Sequence, residues 1–298
     1  MTFRVTHHTS YRYDDEVSSS YGQMHVLPRD VPGGAQVCRG TEVVIDPVPE
    51  DYREARDFFG NRTAFFAILS PYRTLSVTAT TEVDVHRNGH ASSPVAALPW
   101  EQVREQTQAG MDPDTLDARQ YVLDSPLAST SAVLEEYARP SFPSGRPAFD
   151  AFQELAARIH RDFTYEPGAT TVRTTVDEVF AGRKGVCQDF AHLAIGCLRS
   201  MGLAAKYVSG YLETRPPPGR ARLVGADVSH AWASLFVPPL GWLDVDPTND
   251  RLVDDHYVTT AWGRDYGDVP PLKGVIFTEA TEHELEVMVD VERLDENG

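Results

Sequence analysis

The sequence predicts an α+β protein in which a buried helix packs on an antiparallel sheet, preceded by an all-β N-terminal domain, a sandwich or a barrel. Three observations carry this prediction. Phe3, Val5, His7, Thr9, Tyr11 and Tyr13 alternate with polar residues, and Leu75, Val77, Ala79, Thr81, Val83 and Val85 repeat the pattern, which is the period of half-buried strands. Between Phe149 and Met201 the apolar spacing lengthens to three and four, as in helices. Beyond Gly202 the alternation returns, and helices followed by strands are the order of an α+β domain.

At 298 residues the chain is long enough for two domains. With 41% hydrophobic and 24% charged residues it has the composition of a soluble globular protein. Its net charge of −17 argues against a nucleic-acid surface and against docking on anionic membranes. Three cysteines make no disulfide framework, no apolar run reaches membrane-spanning length, and Met1 leads straight into a strand pattern rather than a signal peptide. The expected setting is the reducing cytoplasm, where an unpaired thiol survives.

Taken in order, residues 1–90 read as the all-β domain. Beyond its first strand, Thr41–Ile45 and Thr63–Leu69 are strands, and Phe58-Phe59-Gly60-Asn61 is a turn between them. His7 and His8 point to opposite faces, so one packs and the other is solvated. Arg87-Asn88-Gly89 ends the last strand. Residues 91–145, rich in proline, read as a connector with short helices, Ser131–Arg139 the clearest. Residues 146–298 form the second domain. Phe149, Phe152, Leu155, Ala156, Ile159 and Phe163 mark an amphipathic helix, and Thr174 with Asp177 reads as the cap of a short helix ending near Phe180. Strands follow at Lys206–Leu212, Val228–Val237 and Trp242–Val245, with turns at Pro216-Pro217-Pro218-Gly219 and Pro238-Pro239-Leu240-Gly241. The tail alternates once more at Leu285, Val287, Val289 and Val291, and is expected in the same domain.

The stretch Lys184–Met201 organises the second domain. Gly185 breaks the chain and Cys187 opens a helix whose Phe190, Ala194, Cys197 and Met201 share one face, widened by Leu193, Ile195 and Leu198 until the helix is apolar nearly all round. Gly202 stops it. A thiol in a first helical turn meets the positive end of the helix dipole and unpaired N–H groups, which favour the nucleophilic thiolate. The hairpin supplies its partners. If the turn centres on residue 238, His230 and Asp246 face each other; if it centres one residue later, they remain diagonal neighbours on one face. If the cysteine helix packs on that face, Cys187 meets the imidazole, and nucleophile, base and orienting carboxylate assemble. Asp244 shares the face and is the alternative orienter.

Gly185-Val186-Cys187-Gln188-Asp189-Phe190-Ala191-His192, Tyr207-Val208-Ser209-Gly210-Tyr211, His230-Ala231-Trp232, and Gly241-Trp242 leading to Asp246-Pro247-Thr248-Asn249 together resemble the bacterial transglutaminase-like family, within the transglutaminase and papain-like cysteine protease superfamily. Val5-Thr6-His7 to Tyr13 with Asp57-Phe58-Phe59-Gly60-Asn61 is similar to its N-terminal β domain, and Gly263-Arg264-Asp265-Tyr266 with Asp268-Val269-Pro270-Pro271 to its late loop. The resemblance implies a papain/transglutaminase-like core with Cys187 as nucleophile, His230 as base and Asp246 as orienter.

Other residues carry weaker expectations. The Cys187 N–H is a natural oxyanion donor, with Tyr165 as a candidate second donor and Gln188 and Trp232 as cleft candidates. His192 and Cys197 read as packing, Asp189 as a helix-dipole partner, and Arg264 and Tyr266 as rim or loop. Cys38 has no evident role. There is no Cys-x-x-Cys, no His-Glu-x-x-His and no calcium loop, so no cofactor and no metal are expected. The expected activity is a cysteine peptidase or amidohydrolase acting on peptides or proteins through an acyl-thioester. Acyl transfer to an amine is the first alternative, a peptide-binding module without turnover the second, and acetyl transfer to arylamines the last. The sequence does not fix the oligomeric state.

Overall fold

The structure, a computed structural model, describes residues 1–87, 97–214 and 228–294. The turn residues Asn88 and Gly89 and the Pro216–Gly219 loop lie outside them. The N-terminal half opens with β1 (Thr2–Met24), then β2 (Gln36–Asp46), β3 (Asp51–Arg56), β4 (Arg62–Ile68) and β5 (Tyr72–Val85). The connector holds α1 (Trp100–Ala109), α2 (Pro113–Ala118) and α3 (Ala132–Ala138), followed by α4 (Ala148–Asp162), β6 (Thr164–Tyr165), α5 (Val176–Gly182), β7 (Lys184–Gly185) and α6 (Cys187–Ser200). The second half continues with β8 (Ala205–Leu212), β9 (Val228–Val237), β10 (Gly241–Asp246), β11 (Arg251–Leu252) and β12 (Tyr257–Gly263), then β13 (Leu272–Thr278) and β14 (His283–Arg293).

Among the described residues the N-terminal domain is one seven-stranded antiparallel sheet bent on itself, neither a closed barrel nor two separate sheets. Its axis is β1, longer than the alternation of Phe3–Tyr13 shows because Asp14, Asp15 and Glu16 interrupt the pattern where the register shifts. The first half of β1 pairs with β5 and β14, the second with β4 and β13. Met24, Phe66, Ile68, Leu75 and Val77 fill the space between the halves. β3 was not legible as a strand: it is an exposed edge reading Asp-Tyr-Arg-Glu-Ala-Arg, with no buried face to impose a pattern.

The tail corrects the expected domain plan. Residues 272–293 do not join the second domain's sheet; they complete the first, with Phe3 opposite Arg293 and Met24 opposite Leu272. Alternation reports that a strand has a buried face, not which strand it pairs with.

The second sheet has the order β11-β10-β9-β8-β12. α6 packs on it, with α3, α4 and α5 around the helix. Gly196 allows the close approach of α3, because a Cβ there would come 2.9 Å from Leu134 Cδ1 and 3.0 Å from the Ser129 carbonyl oxygen. Gly202, at φ 78°, lets the chain leave α6. Buried Arg199 donates to the carbonyls of Tyr121, Ala128, Ala205 and Arg264, tying the end of α6 to the connector and the late loop. The cap of α5 is Thr175 with Glu178, one residue beyond the Thr174 and Asp177 expected; Thr174 instead bonds Thr171. Among the described residues no helix is long and apolar enough to cross a membrane.

The two domains join along β12, the edge of the second sheet. Two buried side-chain amides act there as surrogate peptides. Gln36 donates to the Thr259 carbonyl (2.7 Å) and accepts its N–H (2.8 Å); Asn61 donates to the Trp262 carbonyl (2.8 Å) and accepts its N–H (2.9 Å). Asp57 holds Asn61 in place, Arg29 donates to the same amide, and the Arg29 guanidinium lies 3.2 Å over the Trp262 ring. His7 is buried at the same junction, beside the Tyr211 hydroxyl at 3.0 Å, whereas His8 is half-buried and bonds Thr78.

Asn61→Ala would strip the partners from a backbone N–H and C=O on β12. Unfolding stability is expected to fall by about 2–4 kcal/mol. In urea denaturation of the full chain, Gln106→Ala, at an exposed position of α1, is the control, expected within about 0.5 kcal/mol of wild type. Equal losses for the two variants would show that the amide clamp does not hold the domains together.

Candidate active site

Cys187 is the first residue of α6, so its N–H has no acceptor inside the helix. Asp189 caps the turn: its Oδ2 accepts the Val186 N–H (2.8 Å) and the Thr170 hydroxyl (2.6 Å). Gly185 is required beneath it, since a Cβ there would lie 2.7 Å from Asp189 Oδ2. The parallel pair of β6 and β7 sets Tyr165 beside Gly185, two residues before the thiol.

β10 meets β9 with Gly241 opposite Val237 and Val245 opposite Ala233, so the turn centres one residue past 238. Continuing that register sets Asp246 opposite Trp232 and diagonal to His230. Asp246 Oδ2 lies 2.7 Å from His230 Nε2. A carboxylate only accepts, so Nε2 carries the proton and Nδ1 is left for the Cys187 thiol, which lies close enough to the ring to raise it. Asp244 turns elsewhere, to Arg87 at 3.0 Å.

One expectation fails in an instructive way. α6 packs on the face of β9 carrying Ala231, Ala233, Leu235 and Val237, not on the face of His230. The thiol still acts on the ring, which lies near the start of β9, beyond the last β9–β10 rung. The hairpin places His230 with Asp246; the helix, packed on the other face of β9, adds Cys187.

Asp246 is fully buried and saturated. Oδ1 accepts the N–H groups of Thr248 (2.8 Å) and Asn249 (3.2 Å); Oδ2 accepts from His230, from Asn249 Nδ2 (2.7 Å) and from the Tyr257 hydroxyl (2.8 Å). Burial opposes its charge, but the His230 hydrogen bond and the other donors prevail, and its carboxyl is held below the usual range. For His230, burial again opposes charging, yet its hydrogen bond to Asp246, then the nearby Cys187 thiol, and the attraction of both push the imidazole up to about 10. The Asn249 partnership was not predicted; its only signal was the position of Asn249 three residues after Asp246 in the turn. Tyr257 had no signal in the sequence, because β12 reaches the site only through its pairing with β8.

Two tyrosines feel the thiol. Burial, then Cys187, raises the phenols of both Tyr165, which is half exposed, and Tyr207, which is buried. Gln188, largely buried, has its amide 3.5 Å from the Val172 carbonyl oxygen. Trp232 is fully buried against Tyr257 and forms no cleft wall. His192 is structural: burial lowers it to about 4 against the pull of Asp265, and its Nε2 accepts the Tyr266 N–H at 3.1 Å. Asp265 anchors the late loop through Leu127 and Gly267, and Arg264 pairs with Asp268. Burial pushes the thiols of Cys197 and Cys38 up, the latter to about 11. Among the described residues no group of three or more His, Cys, Asp or Glu side chains is placed to hold a metal ion.

Residues 3–84 match the model of the bacterial transglutaminase-like N-terminal region, and residues 135–247 that of the transglutaminase-like superfamily. An uncharacterized protein of Mycobacterium tuberculosis is 48% identical over 296 residues, covering 97% of this chain and 92% of the relative. A protein-glutamine gamma-glutamyltransferase of Pseudomonas aeruginosa is 35% identical over 104 residues, 32% of this chain and 16% of that protein. Among solved structures, a candidate cysteine protease of Cytophaga hutchinsonii superposes with a TM-score of 0.70 at 21% identity, covering all of this chain and 95% of the other, which shows the shared fold. With both halves matched in order, and a relative this similar along nearly its whole length, the chain belongs to the bacterial transglutaminase-like family.

Proposed function

We propose that the protein is a cysteine-dependent hydrolase of amide bonds in peptides or proteins, with Cys187 as nucleophile, His230 as general base and acid, and Asp246 as its orienter. The observation that carries this reading is the buried 2.7 Å pair of Asp246 and His230 with the Cys187 thiol on the free side of the ring. The Cys187 sulfur adds to the substrate carbonyl while the oxyanion takes the Cys187 N–H, with the Tyr165 phenol as the second donor. Collapse breaks the C–N bond, and the amine leaves with the proton held by His230. Water then attacks the thioester, gives a proton to His230, and the C–S bond breaks to release the acid. Three free thiols suit a reducing compartment, and we place the protein in the cytoplasm. A module that binds without turnover has no use for an imidazole kept charged beside a thiol.

The name of the Pseudomonas relative favours one alternative, transfer of the acyl group to an amine. Cross-linking requires a site that holds a neutral amine and excludes water. An acidic chain favours the ammonium form, which does not attack, so hydrolysis is the reading preferred here. A cleavable peptide offered with millimolar fluorescent amine should yield free acid faster than amine adduct; the reverse ratio would replace the hydrolase with a transglutaminase.

Asp246→Asn should lower kcat/KM by on the order of a thousand-fold with the fold retained, by analogy with serine triads. Tyr257→Phe, which removes one donor to the carboxylate, should cost about tenfold. Near-normal activity in Asp246→Asn would mean that another group orients the ring.

The raised His230 has a linked pH signature. Its contribution to stability is fully present below about pH 6.5, the unfolded value, and is lost as pH rises towards about 10. Nitrogen chemical shifts should show the ring protonated at pH 8 in wild type and neutral in Asp246→Asn. Iodoacetamide at neutral pH should mark Cys187 before Cys197, and should do so more slowly in His230→Ala. Identical labelling of Cys187 in both proteins from pH 5 to 8 would count against a thiolate–imidazolium pair.

A further inference from the structure

In the order of the second sheet, β9 and β8 separate β10 from β12, and among the described residues β10 and β12 share no main-chain ladder. Their side chains nevertheless meet, at three levels, so the sheet curls until a seam forms between them. The Tyr257 hydroxyl donates to Asp246 at 2.8 Å. The Arg87 guanidinium spans Asp244 (3.0 Å) and the Thr259 hydroxyl (2.8 Å). Lys206 Nζ lies 4.1 Å from the centre of the Trp242 ring and 3.6 Å from that of Trp262. These levels run in register. Two residues back along β10 match two residues forward along β12, from Asp246 with Tyr257 to Asp244 with Thr259, as in an antiparallel pair. The step to Trp242 with Trp262 is one residue longer, where β12 has its register shift between Thr259 and Ala261. Side chains thus stand in for the missing ladder.

The first and third levels lie within the second domain; the middle one does not. Arg87 follows β5 in the N-terminal domain, where the Val85 N–H bonds the Met1 carbonyl (2.8 Å) and the His86 N–H the Ala35 carbonyl (2.9 Å). Its own N–H donates to Asp255 (2.6 Å), and its guanidinium reaches the Tyr257 carbonyl at 3.5 Å. Its contacts therefore fall on both sides of Tyr257 along the chain, and on the residue two before Asp246 in β10. The Arg87 and Asp244 side chains are only 13% and 18% exposed, so their pairing is screened less than a surface ion pair.

We propose that Arg87 is a positioning residue for the triad: by clasping Asp244 and Thr259 it sets the separation of β10 and β12, and with it the place of Asp246 and Tyr257 beside the imidazole. The planar fork of a guanidinium suits this task, because it offers donors to acceptors on two strands at once. The bearing of Arg87 on catalysis rests on the hydrolase reading given above; its effect on the His230 ring does not.

The test reads the titration of the His230 ring by nitrogen chemical shifts in the full chain. Removing a nearby cation would by itself move the ring to higher pH. Loosening the carboxylate weakens the hydrogen bond that holds the ring's proton and moves it lower, so the sign separates the two effects. Arg87→Met is expected to titrate about one pH unit below wild type. Thr259→Val keeps the pair with Asp244 and removes the anchor on β12; it should move the same way by less, and it carries the test if Arg87→Met does not fold. Asn61→Ala, which loosens the same junction at Trp262, should lower the melting temperature and leave the ring unmoved. With a cleavable peptide, Arg87→Met should lower kcat about tenfold at unchanged KM. Combined with Tyr257→Phe it should lose less than the product of the two single losses, because both act through one carboxylate. The proposal is overturned if the ring titrates as in wild type or higher in whichever of Arg87→Met and Thr259→Val fold, if Asn61→Ala lowers it as far as Arg87→Met does, or if the two losses of kcat multiply. A wild type without turnover would remove the hydrolase reading and leave the titration to decide the role of Arg87.

Discussion

A buried carboxylate needs partners, and the site is built from those that Asp246 collects. An unpaired charge in its position would be strongly destabilising, so the fold supplies five donors from three places: the imidazole on β9, the turn after β10, and the hydroxyl on β12. Each donor fixes a degree of freedom. The turn closes around the carboxylate, Tyr257 draws the start of β12 to it, and His230 is held in one orientation with Nδ1 turned away from the carboxylate. The orientation of the imidazole is therefore a consequence of satisfying a buried charge.

The thiol comes from elsewhere. α6 is held by packing on the alanine face of β9, by Gly196 against α3 and by Arg199 at its far end. Its N-terminus is fixed by Asp189 over Gly185. These contacts involve neither His230 nor Asp246, so the helix and the sheet are positioned independently and meet at the His230 ring. Rigid elements of this kind hold reacting groups at a defined separation.

The N-terminal sheet is not an appendage. It takes two strands from the C-terminal end of the chain, and its Gln36 and Asn61 cover the edge of β12, whose Tyr257 serves Asp246. The late loop between β12 and β13 crosses from one domain to the other and is pinned by His192 from α6. Pairings such as Phe3 with Arg293 close very long loops, so assembly of this sheet must wait for distant segments.

The local pattern of the sequence determined a good deal. The opening of α6 at Cys187, the amphipathic α4, the alternation of β5 and β9 and the proximity of His230 to Asp246 all follow from periodicity or from strand pairing, which act over a few residues. Other features had no local signal. β3 is exposed on both faces and carries no pattern. The tail alternates as a strand must, but its partner lies at the other end of the chain. Tyr257 reaches Asp246 only through the order of strands in a sheet, and the face on which α6 packs was decided by which side of β9 carried alanines small enough to admit a helix. Residue pattern records burial; only the tertiary structure decides what does the burying, because pairing and packing are set by competition among all the faces that the chain makes available.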